Sequence, residues 1–174
     1  MSDLHLGARQ SQTTKIIDFL EKNDSEILIL NGDIIDGWAL KSGGKWKKDS
    51  SKVFRRFMKR SENGTKVIYI RGNHDDPKFF DGTYNWSNIK LLPDYTVTVI
   101  EGKRILFIGG ATSIDRLQRI PERSWWEGEI FNLDVDKLSL YEAIDIVVTH
   151  TAPKFAYPIG FNHLVMSFAA YDPT

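Results

Sequence analysis

Three apolar runs in the sequence each end in polar residues of the kinds that bind metal ions or transfer protons. Residues 66–71 lead into Gly-Asn-His-Asp at 72–75, residues 27–30 lead into Asn-Gly-Asp at 31–33, and residues 144–148 lead into Thr-His. These runs are rich in β-branched and aromatic side chains, which favour strands. In layered α/β proteins the ends of strands gather ligand-binding groups. The pattern therefore predicts an α/β fold with a candidate site where these strands end.

Seven side chains in and around these strand ends are candidates for chemistry, because they are carboxylates, imidazoles and an amide. They are Asp3, His5, Asp33, Asp36, Asn73, His74 and His150. Each group also has a simpler interpretation. Asp33 and Asp36 could cap a helix that begins at Ile34, and an Asn-His-Asp sequence is common in turns. His150 could close a turn before Pro153.

The composition limits the function. The chain has 174 residues, the size of one domain, and its 23 basic and 23 acidic residues give no net charge. Proteins that bind long stretches of nucleic acid by neutralising phosphates are usually basic, so we expect no extensive nucleic-acid footprint. The absence of cysteine excludes disulfides and thiolate metal sites and leaves His, Asp and Asn as ligands. Since the sequence shows neither a signal peptide nor an apolar run of about 18 residues, we expect a cytoplasmic protein without a transmembrane segment.

Hydrophobic periodicity predicts the remaining elements. Apolar residues at helical spacing predict helices over 11–22 and around Val53 to Met58, the second ending at Asn63-Gly64. Strands are predicted at 26–31, 66–71, 95–100, 104–108 and 145–149, and a short helix from Asp134 to Tyr141. Glycine, lysine and proline content predicts irregular segments at 38–50, 76–93 and 112–132, with Trp38 on a surface loop.

The motifs together, in this order and at these spacings, resemble the calcineurin-like metallophosphoesterases. The resemblance runs from Ser2 to Pro153 and rests on Asp-x-His, Gly-Asp-x-x-Asp, Gly-Asn-His-Asp and Thr-His. It implies a four-layer α/β/β/α sandwich, with residues 1–174 as a single metallophosphoesterase domain. It also implies an enzyme that hydrolyses a phosphomonoester, phosphodiester or pyrophosphate.

The resemblance implies a site with two divalent metal ions. Asp33 would bridge them, with Asp3 and His5 on the first ion and Asn73 and His150 on the second. Carboxylate, amide and imidazole ligands suit manganese, which we expect first, or iron, zinc, cobalt or nickel. Two ions about 3.5–4 Å apart lower the pKa of a bound water and stabilise charge on the phosphoryl oxygens.

The same resemblance gives His74 a catalytic role. His74 would protonate, or donate a hydrogen bond to, the leaving oxygen, with Asp36 or Asp75 orienting its ring. Family precedent favours Asp36.

The substrate stays open, because two parts of the sequence point in different directions. Residues 2–7 and 32–38 are similar to the branch that includes the UDP-diacylglucosamine hydrolases, whereas residues 109–116 and 124–126 are similar to bacterial and phage phosphatases. We therefore expect a phosphorylated small molecule, a nucleotide-lipid or a phosphoprotein as the partner. The alternatives are a nuclease of the same superfamily and a non-catalytic module that retains the fold. Arg116, Arg119 and Arg123 are further candidates for phosphate contact.

Two departures from the family bear on activity. Only Met1 and Ser2 precede Asp-x-His, where the family has an apolar strand, and no Gly-His-x-His element follows His150, since His163 has Val165 two positions on. We therefore expect an incomplete fold that lacks the first strand and the last strands. From this we predict weak metal binding and low activity for these 174 residues.

Overall fold

The fold consists of two small β-sheets with helices against one of them. The computed structural model describes residues 1–113, 116–125, 127–130 and 133–152. In chain order the elements are α1 (Thr13–Lys22), β1 (Ile27–Asn31), α2 (Gly37–Lys41), α3 (Lys48–Glu62), β2 (Lys66–Ile70), β3 (Ile89–Leu91), β4 (Thr96–Ile100), β5 (Lys103–Ile108), α4 (Val135–Ser139) and β6 (Ile146–Thr149). Short 3-10 turns lie at Pro77–Phe79, Arg116–Gln118 and Glu127–Glu129.

The first sheet is parallel and has the strand order β1-β2-β3. Its outer face packs against α1 and α3, because both helices are amphipathic and turn their apolar stripes inward. The core between them includes Ile16 of α1, Leu28 of β1, Phe57 of α3 and Val67 of β2. The predicted helices and the strands at 26–31 and 66–71 are confirmed here, and Asn63 and Gly64 end α3 as predicted.

The second sheet has the order β4-β5-β6 and mixes an antiparallel with a parallel pair. The predicted hairpin is confirmed, and its two-residue turn has positive φ at both Glu101 and Gly102, as a type I′ turn requires. Ile105 and Phe107 of β5 pack against Ile68 and Ile70 of β2. The two sheets therefore share a core and form the central layers of a sandwich.

Residues 1–6 run along the end of β1. The amino group of Met1 donates to Ile29 O, and Asn31 N–H donates to Met1 O over 2.7 Å. Leu6 forms a parallel bridge with Ile35. These bonds hold Asp3 and His5, which alternate with the buried Leu4 and Leu6, against the turn that follows β1.

Two predictions for irregular segments are wrong. The segment 38–50 contains α2 and the start of α3, and Trp38 is only 4% exposed, so it belongs to the interior and not to a surface loop. The segment 76–93 contains β3, which extends the first sheet beside β2. Strand β3 has only three residues, and such a short run gives no clear strand pattern among the surrounding prolines, glycines and asparagines.

The short helix predicted after Asp134 is confirmed as α4, and Asp134 caps it by accepting a 2.8 Å hydrogen bond from Lys137 N–H. Tyr141 Oη donates to Tyr95 O, which ties the end of α4 to the start of the hairpin. Across the described ranges, none of the helices is long and apolar enough to cross a bilayer.

Candidate metal centre

Strand order places the polar motifs at one edge of the sandwich. Asn31 and Ile70 are partners in the parallel pair β1-β2, so the turns that follow these two strands leave the sheet side by side. Strand β6 reaches the same edge from the second sheet, because Asn31 Nδ2 donates a 3.1 Å hydrogen bond to Thr149 O. His150 therefore arrives next to Asp33 and the Gly-Asn-His-Asp turn.

Asp33 lies at the centre of this arrangement and is 3% exposed. Its Oδ2 atom lies 3.8 Å from His5 Nε2 and 3.8 Å from His150 Nε2. Its Oδ1 atom accepts a 2.8 Å hydrogen bond from His74 N–H, which fixes the rotation of the carboxylate. One oxygen is thus held between imidazoles that come from opposite ends of the chain.

Neighbouring groups orient both imidazoles. His150 Nδ1 lies 2.8 Å from Asn31 O, an acceptor, so the proton of a neutral ring resides on Nδ1 and Nε2 presents its lone pair toward Asp33. His5 Nδ1 lies 3.4 Å from Asp36 Oδ2 without hydrogen-bond alignment. The Asp36 carboxylate raises the pKa of His5, and burial of the ring opposes this effect.

The backbone is strained where these side chains are presented. Asp3, His5 and Asp33 have φ values of 54°, 45° and 53°, in the left-handed region that non-glycine residues rarely adopt. Such strain costs of order 1–3 kcal/mol per residue and tends to cluster at functional sites. Three candidate ligands share this backbone strain. The surrounding hydrogen bonds therefore hold them in place.

Two glycines make room for the cluster. Gly32 has φ +77°, and a Cβ atom there would overlap with the ring of His150. A Cβ atom on Gly72 would overlap with the carboxylate of Asp33. The Asn-Gly-Asp and Gly-Asn-His-Asp sequences therefore need glycine for close approach.

Asp36 contacts both neighbouring histidines and also caps α2. Its Oδ1 atom lies 3.2 Å from His74 Nδ1 and accepts a 2.7 Å hydrogen bond from Ala39 N–H. Burial alone would raise the pKa of Asp36, but its contacts with His5, His74 and the Ala39 amide hold that pKa well below the ordinary value. The capping interpretation and the pairing with His74 therefore both apply, with the helix beginning at Gly37 and not at Ile34.

Asp75 holds the turn together. Its Oδ2 atom accepts 2.8 Å hydrogen bonds from Asp33 N–H and Gly72 N–H, and Tyr69 Oη donates to Oδ1. Burial raises the pKa of Asp75 to about 6, although these hydrogen bonds oppose the shift. The side chain ties the turn after β1 to the turn after β2.

Asn73 is oriented by two residues for which the sequence patterns predict no role. Its Nδ2 atom donates a 3.0 Å hydrogen bond to Ser113 Oγ, and Ser113 N–H donates a 3.0 Å hydrogen bond to Glu129 Oε1. Ser113 is 4% exposed and Glu129 is fully buried. Ser113 lies in the segment 109–116 that resembles bacterial and phage phosphatases, but that resemblance assigns it no role, so only the long-range contacts reveal both residues.

Arg71 anchors the loop that carries Ser113 and Glu129. Its guanidinium donates to Asp94 Oδ2 over 2.6 Å and to Gly128 O over 2.8 Å. Its carbonyl oxygen accepts a 2.8 Å hydrogen bond from Gly110 N–H. The last residue of the apolar run at 66–71 therefore connects the Gly-Asn-His-Asp turn to the segment 110–130.

The donor atoms fit divalent metal ions. Bonds from imidazole nitrogen or carboxylate oxygen to such an ion are about 2.0–2.2 Å long, so two ligands of one ion lie up to about 4 Å apart. His5 Nε2 lies 3.8 Å from Asp33 Oδ2 and 4.0 Å from Asp3 Oδ1, too far for a hydrogen bond. Within the described residues, two sets of ligand atoms could each hold an ion: Asp3, His5 and Asp33, and His5, Asp36 and His74.

The structure thus gathers Asp3, His5, Asp33, Asp36 and His150 around one point. Asn73 and His74 lie on the turn that wraps the Asp33 carboxylate. Of the three loop arginines, Arg119 donates to Ser124 O within its own loop. His163 and Asp115 lie outside the described residues.

Comparison with known proteins agrees with this geometry. The profile of the calcineurin-like phosphoesterase family matches residues 1–173. The chain is 30% identical over 118 residues to a UDP-2,3-diacylglucosamine hydrolase of Neisseria meningitidis serogroup B, which covers 64% of this chain and 47% of that protein. For proteins with the same name, identity is 26% over 117 residues in Histophilus somni and 28% over 123 residues in Aliivibrio fischeri, covering 64% of this chain and 48% and 46% of those proteins.

The chain therefore spans about half the length of these relatives. Its mixed α/β sandwich is the calcineurin-like fold. Members of this family typically bind divalent metal ions, and the relatives compared above are named as hydrolases. The chain belongs to the calcineurin-like phosphoesterase family.

Proposed function

We propose that this protein hydrolyses a phosphate ester at a centre of two divalent ions, with Asp33 as the ligand common to both. The observation that supports the proposal most directly is the position of Asp33 Oδ2, which lies 3.8 Å from Nε2 of both His5 and His150. A carboxylate oxygen within 4 Å of two imidazole nitrogens is compatible with a ligand shared by two ions.

The family resemblance supplies the other ligands, and the contacts of Asp3, His5 and His150 support this assignment. Asp3 and His5 would hold one ion, and Asn73 and His150 would hold the other. When bound, two such ions activate a water molecule and stabilise charge on the phosphoryl oxygens. We propose manganese as the ion, because this set combines hard oxygen ligands with borderline imidazoles.

The protein's own contribution to proton transfer comes from His74 and Asp36. The contact of 3.2 Å between His74 Nδ1 and Asp36 Oδ1 orients the imidazole. The His5 and His74 rings meet edge to face with centroids 4.7 Å apart, so His74 lies directly beside the candidate ligands. Hydrolysis breaks a P–O bond, and we propose that His74 gives a proton to the leaving oxygen, an effect typically worth roughly 10²- to 10⁴-fold in rate.

The relatives suggest which substrate to test first. They are named for UDP-2,3-diacylglucosamine, so we propose a nucleotide-linked lipid as the leading candidate. A phosphorylated small molecule and a phosphoprotein are the other candidates. Zero net charge gives no support to an extended nucleic-acid substrate.

The test compares hydrolysis by the wild-type chain and by His74→Asn at millimolar Mn²⁺. Substrates would be p-nitrophenyl phosphate, its bis-ester, UDP-2,3-diacylglucosamine and single-stranded DNA. We expect hydrolysis of at least one small ester by the wild type and a loss of about 10²-fold or more in kcat for His74→Asn. His163→Asn, which changes a histidine outside the motifs, serves as the control and should retain activity.

Three results would change the proposal. No hydrolysis of any substrate together with no bound manganese would favour a non-catalytic module. Unchanged kcat in His74→Asn would contradict the role of His74. Preferential hydrolysis of single-stranded DNA would favour a nuclease.

A further inference from the structure

An apolar cavity of about 500 Å³ lies next to the candidate metal centre. It occupies the space between the first sheet and the helices α2 and α3. Its wall is made of aliphatic and aromatic side chains, among them Leu30, Phe57, Val67, Tyr69 and Leu91. An empty space with so few polar partners holds water poorly, and its size is typical of a small-molecule site.

The cavity borders the candidate site at His74. His74 and Asp75 both line it, and His74 is the residue whose ring contacts Asp36. A group that gives a proton to a leaving oxygen must lie beside that oxygen. The substituent carried by the leaving oxygen would therefore begin at the entrance of this cavity.

Exposed aromatic residues extend the same apolar surface outward. Phe54, Phe79 and Trp86 line the cavity and are 41%, 40% and 56% exposed. Phe79 and Tyr84 also pack edge to face nearby, with ring centroids 5.2 Å apart. A cluster of large exposed apolar side chains around an apolar opening is typical of a ligand-binding surface.

A second, larger cavity of about 940 Å³ does not share these properties. It lies at the opposite ends of β1 and β2, away from Asp33. None of the candidate metal ligands and neither of the proton-transfer residues lines it. This second cavity therefore has no contact with the candidate site at Asp33.

We propose that the cavity beside His74 binds the apolar part of the leaving alcohol, as an alkyl chain or an aryl ring. This inference depends on the proposed function, because it assigns the leaving group to a particular side of the site. The phosphoryl group would lie at Asp33, and the alcohol would extend past His74 between α3 and β3. The substrate class is then a phosphate ester of a hydrophobic alcohol, which among the candidates above is the phosphorylated small molecule, since a UDP-linked lipid would release a phosphate and not an alcohol.

The first experiment measures binding of the product alcohol by itself, which requires neither metal nor catalysis. Isothermal titration of the 174-residue chain with n-alkanols from butanol to octanol should give a Kd that falls about fourfold for each added methylene, the factor that corresponds to ~0.8 kcal/mol per buried CH₂. The second experiment measures kcat/KM for monoalkyl phosphates of the same chain lengths with Mn²⁺, and the same increase is expected.

A matched pair of variants locates the binding. Phe54→Ala removes an exposed aromatic from the cavity, whereas Phe19→Ala removes a 49% exposed phenylalanine from α1, which does not line it. We expect Phe54→Ala to weaken octanol binding by about tenfold or more and Phe19→Ala to leave it unchanged. Trp86→Ala provides a second variant at the cavity, should Phe54→Ala fail to fold.

The outcomes separate this inference from the proposed function. Hydrolysis of short esters with no dependence on chain length would overturn the inference, and would mean that the cavity has another occupant, such as another part of the chain or a partner protein. Equal effects of the two phenylalanine variants would also overturn it. Binding of alkanols that strengthens with chain length, without hydrolysis of any ester, would support the apolar specificity of the cavity and contradict the proposed function.

Discussion

Asn73 Nδ2 donates a hydrogen bond to Ser113 Oγ over 3.0 Å, and this contact sets the direction of the Asn73 amide. The two polar atoms of a planar amide point in different directions, so binding of the nitrogen by Ser113 leaves the oxygen free to serve as the donor atom for a hard cation. Ser113 is in turn fixed by the hydrogen bond from its amide to Glu129. Ser113 and Glu129 therefore contribute to the candidate site without supplying a ligand.

Replacement of Ser113 by alanine should weaken the binding of one manganese ion. Without the Ser113 hydroxyl the Asn73 amide can rotate. Loss of a hydrogen bond that orients a metal ligand typically lowers metal affinity 10- to 100-fold. Isothermal titration with Mn²⁺ should show one of two binding events weakened by that factor, with the other unchanged.

Thr112→Ala is the control for Ser113→Ala, because it removes the hydroxyl of the neighbouring exposed residue. Equal manganese affinity in both variants and in the wild type would show that Ser113 does not orient Asn73.

Replacement of Gly32 by alanine should disturb His150 specifically. Gly32 has φ +77°, which costs an alanine about 1–2 kcal/mol, and the added Cβ would also displace the His150 ring. Gly102 has φ +74° with open space around it, so Gly102→Ala carries the backbone cost alone. We expect both variants to lower the melting temperature, and only Gly32→Ala to lower manganese affinity. A similar loss of metal in the two variants would refute the role of Gly32 in seating His150.

Glu129 should make stability depend on pH. Burial raises the pKa of Glu129 above its ordinary value of 4.5, against the opposing hydrogen bond from Ser113. Between 4.5 and the raised pKa the folded chain keeps a proton that the unfolded chain releases, so the free energy of unfolding falls as the pH rises through this interval. Glu129→Gln keeps an oxygen acceptor for Ser113 and cannot ionise.

Urea denaturation at several pH values tests this expectation. The stability of Glu129→Gln relative to the wild type should increase as the pH rises above 4.5 and reach a constant difference above the raised pKa. Glu127→Gln, on the same 3-10 turn but exposed, is the control and should follow the wild type. If the difference in free energy of unfolding between Glu129→Gln and the wild type were the same at all pH values, the raised pKa of Glu129 would be contradicted.

The elements that the sequence predicted correctly are those with strong local signals. Helix α3 repeats apolar residues at helical spacing and ends at Asn-Gly, and the hairpin β4-β5 has a turn that suits positive φ. The segments predicted wrongly have weak or mixed signals. Strand β3 has only three residues, and Trp38 becomes buried because Asp36 caps a short helix in a segment rich in glycine and lysine.

In the candidate site, too, some features could be predicted from the sequence and others could not. The order of the motifs was sufficient to place the turns after β1 and β2 together, because parallel neighbours end at one edge. The contact of Asn73 with Ser113 and the anchoring of the loop by Arg71 could not be predicted, since both join positions separated by many residues and the residues contacted by Asn73 and Arg71 lie outside the four motifs. The apolar cavity beside His74 also depends on how far α3 lies from β2, which the sequence pattern does not specify.

Anomalous diffraction at the manganese edge, from crystals of this chain grown with Mn²⁺, tests the central claim most directly. We predict two peaks about 3.5–4 Å apart, one toward His5 and the other toward His150, with Asp33 Oδ2 bound to both. A single peak, or peaks that do not contact Asp33, would contradict the account.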